Sequence, residues 1–344
     1  MSIEFTKELV QSRFLAPSKD FAEVIYEFEV RADPLTGKMS YIYQIQYGAM
    51  PRERDLSSII QKSLDRGCPF CPQAIDQATP KFVPELFPQG RLQLGEARVF
   101  PNTIPYAPYS ALCVPSGQHF IGLLDFTEEM LTNALMAGQT YLRRVQECDA
   151  NAKYSYIGWN YMPFSGGSQL HPHLHVQAAH FPTPQQKELL TASQQYYVTN
   201  GTNFWSDLIT EEQHLGERYI GNIGDICWLT SFAPRGRVFD VLAIFRYGHS
   251  LLDISEQELR HFSLGLERVF KYMNDQNFYS FNLTINSGIT GDDSFWTQAR
   301  IIPRLVFSEL DVSDCTYLQL LQDVHFVARC PEDTCQEIRQ YFDG

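Results

Sequence analysis

The sequence predicts an α+β protein built from one strand–helix–strand unit used twice, and two observations carry that prediction. The first is an internal resemblance. Ala111-Leu112-Cys113-Val114-Pro115-Ser116-Gly117-Gln118-His119 leads into Leu123-Leu124-Asp125, and Val241-Leu242-Ala243-Ile244-Phe245-Arg246-Tyr247-Gly248-His249 leads into Leu251-Leu252-Asp253. Each copy is an apolar run, a histidine-bearing turn, then Leu-Leu-Asp at the threshold of a helix. The second is that the copies stay in register. A strand-like run, a glycine-containing loop and another strand-like run follow each helix.

In chain order, Ile25–Val30 and Lys38–Gln46 are β-rich runs flanking Arg31-Ala32-Asp33-Pro34-Leu35-Thr36-Gly37, whose Pro and later Gly signal a hairpin. Helices are expected from about 127 to 148 and from about 255 to 274, from the spacing of apolar residues. Thr127 is a candidate N-cap followed by two acids, and Ser255 with Glu258 has capping-box spacing. Tyr154–Tyr161 and Phe278–Asn286 are the strands after these helices, and 181–217 is a polar connection with a helix in it. Its aromatic residues Tyr196, Tyr197, Phe204 and Trp205 are candidates for burial. The expected division is 1–190 and 191–344.

Composition narrows the function. The 344 residues are 44% hydrophobic, and the net charge of −13 argues against sequence-independent nucleic-acid binding, which needs basic surface. No apolar run approaches the roughly 18 residues of a membrane span. The charged start Met-Ser-Ile-Glu-Phe-Thr-Lys-Glu lacks a signal core, so a cytoplasmic protein with no membrane partner is expected. The eight cysteines are scattered, which favours reduced thiols, two of them on a metal.

The richest segment is Gly166-Gly167-Ser168-Gln169-Leu170-His171-Pro172-His173-Leu174-His175. On a strand, the period of two would place all three imidazoles on one face. Gly166 and Gly167 offer backbone N–H groups suited to phosphate. Such a row can form a phosphohistidine or bind a metal, and three of nine histidines behind Gly-Gly-Ser favour chemistry. Separately, Gly67-Cys68-Pro69-Phe70-Cys71-Pro72 lets two thiolates reach one ion. His119 and His171 are candidates to complete a tetrahedron, though a lone Cys-x-x-Cys is also compatible with a redox pair.

Together these residues resemble the galactose-1-phosphate uridylyltransferase branch of the histidine-triad superfamily, over nearly the whole chain. The resemblance rests on Arg31–Gly37, Pro51-Arg52-Glu53-Arg54, Phe100-Pro101-Asn102-Thr103-Ile104-Pro105, the Cys68, Cys71, His119, His171 spacing, and Ser168-x-x-His171-Pro172-His173. It implies two histidine-triad-like half-repeats, each an antiparallel sheet packed with helices, the N-terminal one catalytic and the C-terminal one degenerate. It also implies one structural zinc on Cys68, Cys71, His119 and His171, and His173 as nucleophile. His175 and Ser168 would assist it, and Asn102, Arg52, Arg54, Gly166 and Gly167 would lie against the nucleotide. The activity implied is nucleotidyl transfer from a nucleotide sugar, as UMP or AMP, to a sugar 1-phosphate. A phosphorolytic adenylyltransferase acting on a dinucleotide or nucleotide sugar is the alternative, and a non-catalytic nucleotide-binding protein a third reading. A homodimer is an expectation from the resemblance alone.

Three departures bear on the substrate. His175 stands where the transferases have Gln, Thr103 replaces an acidic ribose contact, and Tyr317–Glu332 lacks a clear sugar-contacting pattern. Gln298 and Arg300 stand where many uridylyltransferases place a His-x-His, so no second metal is expected.

Overall fold

The computed structural model describes residues 3–43, 53–307 and 312–343; the expected contact Arg52 lies outside them. A small sheet opens the chain with β1 (Lys7–Ala16), β2 (Ala22–Ala32) and β3 (Met39–Ile42). The β2–β3 turn is the one expected at Asp33–Gly37. Asp33 Oδ1 accepts the backbone N–H groups of Leu35 and Thr36 at 3.1 and 2.8 Å, an Asx turn that reverses the chain. The β1–β2 hairpin was not expected: β1 lacks a clean apolar alternation, and much of it is exposed.

Helices α1 (Ser57–Asp65) and α2 (Ile75–Ala78) lead to β4 (Leu92–Leu94), β5 (Ala97–Pro101) and β6 (Tyr109–Val114). Next come α3 (Glu128–Cys148), β7 (Tyr154–Tyr161) and β8 (Leu174–Ala179). The connection 181–217 holds two helices, α4 (Pro184–Asn200) and α5 (Phe204–Leu215), with Phe204 and Trp205 buried and Tyr196 and Tyr197 half-buried. The division expected after residue 190 falls inside α4. Then follow β9 (Tyr219–Ile223), β10 (Ile226–Thr230), β11 (Val241–Phe245), α6 (Glu256–Asp275), β12 (Phe281–Asn286) and β13 (Gln298–Pro303). A short pair, β14 (Val306–Phe307) and β15 (Val312–Ser313), precedes α7 (Tyr317–Gln322), β16 (His325–Val327) and α8 (Pro331–Arg339). β16 returns to the N-terminal sheet beside β3.

Ten strands form one antiparallel sheet in the order β4-β5-β6-β8-β7-β12-β13-β11-β10-β9. The order reads as the same sequence of roles from either edge. β6, α3, β7 and β8 correspond to β11, α6, β12 and β13, so the repeated unit is the architecture, with β7 and β12 joining the halves at the centre. Both helices start as their sequences require. Thr127 Oγ1 accepts the Met130 N–H at 3.2 Å, and Ser255 and Glu258 exchange the two bonds of a capping box.

α3 and α6 pack side by side on one face of the sheet. Strand β7 alternates strictly, with Ile157, Trp159 and Tyr161 buried toward the helices. Trp159 and Tyr161 meet Phe126, Phe270 and Phe281 in one aromatic cluster. Polar bonds fix the register of the two helices. Thr132 Oγ1 donates to Ser263 Oγ at 3.0 Å, and the buried Gln139 amide donates to the carbonyls of Leu251 and Ile254 at 2.6 and 2.7 Å. At Gly265 of α6 a Cβ would stand 2.0 Å from the Trp228 indole, so this close approach requires glycine. The other face is covered by α4 and α5 over β10 and β11, where Leu189, Phe204, Trp205 and Leu208 pack with Leu229, Leu242 and Ile244, and chemistry is left to the rest of it.

Candidate active site

The opposite face carries the half-buried Tyr156, Gly158 and Asn160 of β7 and His175 of β8. β8 begins at Leu174, so the three histidines do not form one strand. Only His175 lies in β8, and Pro172, which has no N–H to give a ladder, separates the two residues before it. The imidazoles accordingly take different partners.

His171 turns toward the cysteines. Its Nδ1 lies 3.7 Å from the Sγ of both Cys68 and Cys71, while His119 Nδ1 lies 3.3 Å from Cys71 Sγ. The four donor atoms fall within 4.8 Å of one another. The far nitrogen of each ring is engaged elsewhere. His171 Nε2 donates to the Ser116 carbonyl at 2.9 Å, and His119 Nε2 is 3.1 Å from Ser63 Oγ. A carbonyl can only accept, so His171 Nε2 carries the proton and Nδ1 offers its lone pair to the sulfurs. Burial lowers both histidines, His171 to about 4, which keeps the rings neutral. Two thiol sulfurs and two imidazole nitrogens at this spacing fit a closed tetrahedral zinc site. Such an ion would tie the Cys68–Cys71 turn, the turn after β6 and the start of β8 together.

His173 sits two residues on and is 4% exposed. Its Nδ1 donates to its neighbour's carbonyl, His171 O, at 2.9 Å, which assigns the remaining lone pair to Nε2. Burial pushes this imidazole down to about 4, against the opposing effect of that hydrogen bond, so it is neutral at cellular pH. Phe70, between the two cysteines, packs edge-on against His173 at 5.3 Å, and the His175 ring is 5.2 Å from that of His173. His175 lies under Tyr106, stacked at 5.4 Å, and its Nδ1 is buried without a protein partner.

The glycine loop lies beside β7. Gly166 adopts φ +92°, and Gly167 is packed so closely that a Cβ would stand 2.8 Å from Asn160 O and 3.0 Å from Met162 O. Backbone approach at this point leaves no room for a side chain. Ser168 is exposed at the bend that follows. Arg54 lies over the Phe164 ring at 4.6 Å, at the entry to this loop. Asn102, just past β5, accepts the Ile104 N–H at 3.2 Å and shapes the loop that delivers Tyr106.

In the second half, Arg300 of β13 pairs with the buried Asp240 and donates to Ser231 Oγ at 3.1 Å. The position aligned with a second His-x-His thus holds an ion pair. Sequence reasoning did not single out Phe70, Tyr106, Ser63 or Asp240. Phe70 was signalled by its place between the cysteines; the others act through contacts between distant segments.

No family model matches the sequence. An uncharacterized protein of Archaeoglobus fulgidus is 29% identical over 342 residues, covering 98% of each chain. An ADP-glucose phosphorylase from Arabidopsis thaliana, solved with bound ADP-glucose, superposes with a TM-score of 0.70 at 16% identity, over 90% of this chain and 98% of that one. A GalT-like protein from Arabidopsis thaliana gives 0.69 at 15% identity, over 90% and 98%. A uridylyltransferase gives 0.67 at 17%, over 91% and 98%. At these identities the likeness establishes the fold, which is that of the GalT-like proteins. No helix among the described residues is long and apolar enough to cross a membrane.

Proposed function

We propose that this protein is a nucleotidyltransferase working through a covalent nucleotidyl-His173. The observation that carries the reading is the 2.9 Å bond from His173 Nδ1 to His171 O, which leaves Nε2 as a neutral nucleophile. In the first half-reaction the Nε2 lone pair attacks the α-phosphorus of a nucleotide donor. The P–N bond forms as the P–O bond to the leaving group breaks, and that group departs with the electron pair. In the second, an acceptor phosphate oxygen attacks the same phosphorus, the P–N bond breaks, and neutral imidazole returns.

The Ser168 hydroxyl is the donor of this loop that would reach phosphate oxygens, where one well-aimed donor contributes roughly 3 kcal/mol. The Gly166 and Gly167 amides, expected as donors to phosphate, instead donate to the Pro163 and Met162 carbonyls at 3.0 and 3.3 Å, so these glycines would border the phosphate by close backbone approach. His175 Nδ1, without a protein partner, is a further donor or acceptor for the same oxygens. Zinc on Cys68, Cys71, His119 and His171 would supply structure rather than a reaction step, holding the backbone whose carbonyl orients His173. Arg54 and Asn102 border the nucleotide on this reading, as does Arg52, which lies outside the described residues.

The donor we propose is a nucleotide sugar passing UMP or AMP to a sugar 1-phosphate. Phosphorolysis is the second reading. It is supported by the bound ADP-glucose of a phosphorylase with the same fold and by the weak sugar-contacting pattern of Tyr317–Glu332. Intact mass after incubation with UDP-, ADP- and GDP-sugars and with diadenosine polyphosphates tests the chemistry. An acid-labile nucleotidyl adduct on the wild type and none on His173→Ala is the expected result. Nucleotide binding without an adduct from any donor would sink the catalytic reading in favour of a binding protein. Comparing donor loss with added phosphate and with added galactose 1-phosphate separates transfer from phosphorolysis.

A further inference from the structure

The glycine loop is held from outside the half that carries it. Its first residue, Met162, has φ +73° and ψ 156°, a combination essentially reserved to glycine, although its side chain is buried and proline follows it. Gly166 turns to positive φ again, at +92°. A non-glycine residue stays in such a conformation only where its surroundings over-determine it. Rotating the Tyr161–Met162 peptide would return Met162 to the extended region, so the bonds that grip this peptide and the turn after it oppose the change.

Two sets of bonds do so. At the near end, Tyr161 O accepts the Ser280 hydroxyl at 3.0 Å, and the buried Ser165 hydroxyl lies 2.8 Å from the carbonyls of both Tyr161 and Met162. At the far end, the Ser165 carbonyl accepts Asn282 Nδ2 at 3.0 Å, and the same amide reaches Asn160 Oδ1 at 2.6 Å. Asn282 lies on β12, directly opposite Asn160 of β7. Its amide has one usable orientation. Arg304 Nη1 stands 2.7 Å from Oδ1 and can only donate, so Nδ2 faces the Ser165 carbonyl, which can only accept. Arg304 is fixed in turn by a two-bond pair with the buried Asp314, from Nε at 2.9 Å and from Nη2 at 2.7 Å. Asp314 also accepts the Leu305 N–H at 2.8 Å.

These contacts run in one chain, from Asp314 to Arg304 to Asn282 to Ser165 O, and every member but the last belongs to the C-terminal half. That half has Gln298 and Arg300 in place of histidines, yet its polar relay ends on the loop of the other half. A brace needed only for stability would be served as well by apolar side chains. A network in which each donor has its acceptor specifies one geometry.

Resting on the nucleotidyl-transfer reading, we propose that Asn282 is a positioning residue. Oriented by Arg304 and Asp314, it locks the Met162–Gly167 turn and so sets where the Ser168 hydroxyl meets the phosphate. The second half acts on the chemistry through this loop, without touching the reacting atoms.

Asn282→Asp is the informative change, because it keeps the shape and the Arg304 contact but has no proton for the Ser165 carbonyl. Asp314→Asn loosens the relay at the end remote from the loop. Both are made in the full-length, zinc-loaded protein and read three ways: amide hydrogen exchange by mass spectrometry, single-turnover adduct formation with saturating UDP-glucose or ADP-glucose, and calorimetric affinity for UMP and AMP. In Asn282→Asp, exchange across 162–168 should rise at least about tenfold while α3 and α6 stay protected. Adduct formation should slow at least about tenfold, the scale of one misaligned donor, with monophosphate affinity kept within about twofold. Asp314→Asn should show the same split between rate and affinity at a smaller size, about threefold. Ser168→Ala added to Asn282→Asp should cost little beyond the larger single effect, because both act through one hydroxyl. Unchanged exchange at 162–168 overturns the proposal. A slowed Asn282→Asp beside an unaffected Asp314→Asn would mean that Asn282 meets the substrate itself, and the relay falls. Fully multiplicative effects of Ser168→Ala and Asn282→Asp overturn action through the loop. A wild type that forms no adduct, with exchange still raised in both variants, defeats the catalytic reading and leaves the brace on the loop standing.

Discussion

The four-ligand cluster predicts its own metal distances. In a regular tetrahedron the edge is about 1.63 times the distance from centre to corner. The sulfur–nitrogen edges of 3.3 and 3.7 Å therefore place an ion roughly 2.0–2.3 Å from its donors, the range of zinc–nitrogen and zinc–sulfur bonds. The perturbation is Cys71→Ser, which removes the sulfur shared by both imidazoles. Protein expressed with ample zinc should carry about one zinc per chain. X-ray absorption should show two sulfurs near 2.3 Å and two nitrogens near 2.0 Å. In the metal-free protein, burial and then the neighbouring Cys68 push the Cys71 thiol up to about 11, so it is protonated at pH 7. Zinc must displace that proton. Binding measured in buffers of different ionisation enthalpy should therefore show at least one proton released per zinc, and affinity should rise with pH. Cys71→Ser should lose most of the zinc and lower stability by several kcal/mol, given the order of 10 kcal/mol a structural zinc contributes. Wild type with no stoichiometric metal, or a first shell of oxygens, would refute the reasoning, as would full zinc retention in Cys71→Ser.

Three further outcomes are expected. Glu332 joins Arg31 and Arg218, each with a 2% exposed side chain, through bonds of 2.7 Å. Burial alone would raise its pKa, but the Arg31 hydrogen bond and charge, with Cys330 and Arg218, hold it at about 2, below the ordinary 4.5. A depressed carboxylate stabilises fully above the unfolded value and loses that contribution as pH falls from about 4.5 toward 2. The shift corresponds to about 3 kcal/mol. Denaturant unfolding of Glu332→Gln should show that deficit at pH 7 and a shrinking one below pH 4.5; a pH-independent difference would contradict it. Gly167→Ala should cost about 1–3 kcal/mol, because its Cβ meets two backbone carbonyls, and should slow adduct formation; thermal unfolding and a mass time course measure both. Tyr106→Ala should leave zinc content unchanged and weaken nucleotide binding severalfold by uncovering His175, read by calorimetry.

What was legible in the sequence is what depends on neighbours. Thr127 and Ser255 cap helices through residues three positions away, and β7 alternates as its own residues dictate. The repeat was visible because both copies kept the apolar run, the turn and Leu-Leu-Asp. The Cys68–Cys71 turn likewise announced itself through spacing. The histidine row shows the boundary of this reasoning. Alternation suggested one face of one strand, yet Pro172 keeps His171 and His173 out of β8, and the partners Ser116 and the two thiols separate their rings.

The tertiary structure alone decided how the two halves meet. β7 pairs with β12, residues 156–161 against 281–286, and this merges two sheets into one. No periodicity encodes that choice, because pairing between strands more than a hundred residues apart depends on which buried surfaces fit after collapse. The same holds for Asp240 beneath Arg300, for Tyr106 over His175, and for Glu332 bridging the N-terminal sheet to α8. Local interactions are selected by residues within a few bonds of one another; these contacts exist only once the whole chain has closed around them.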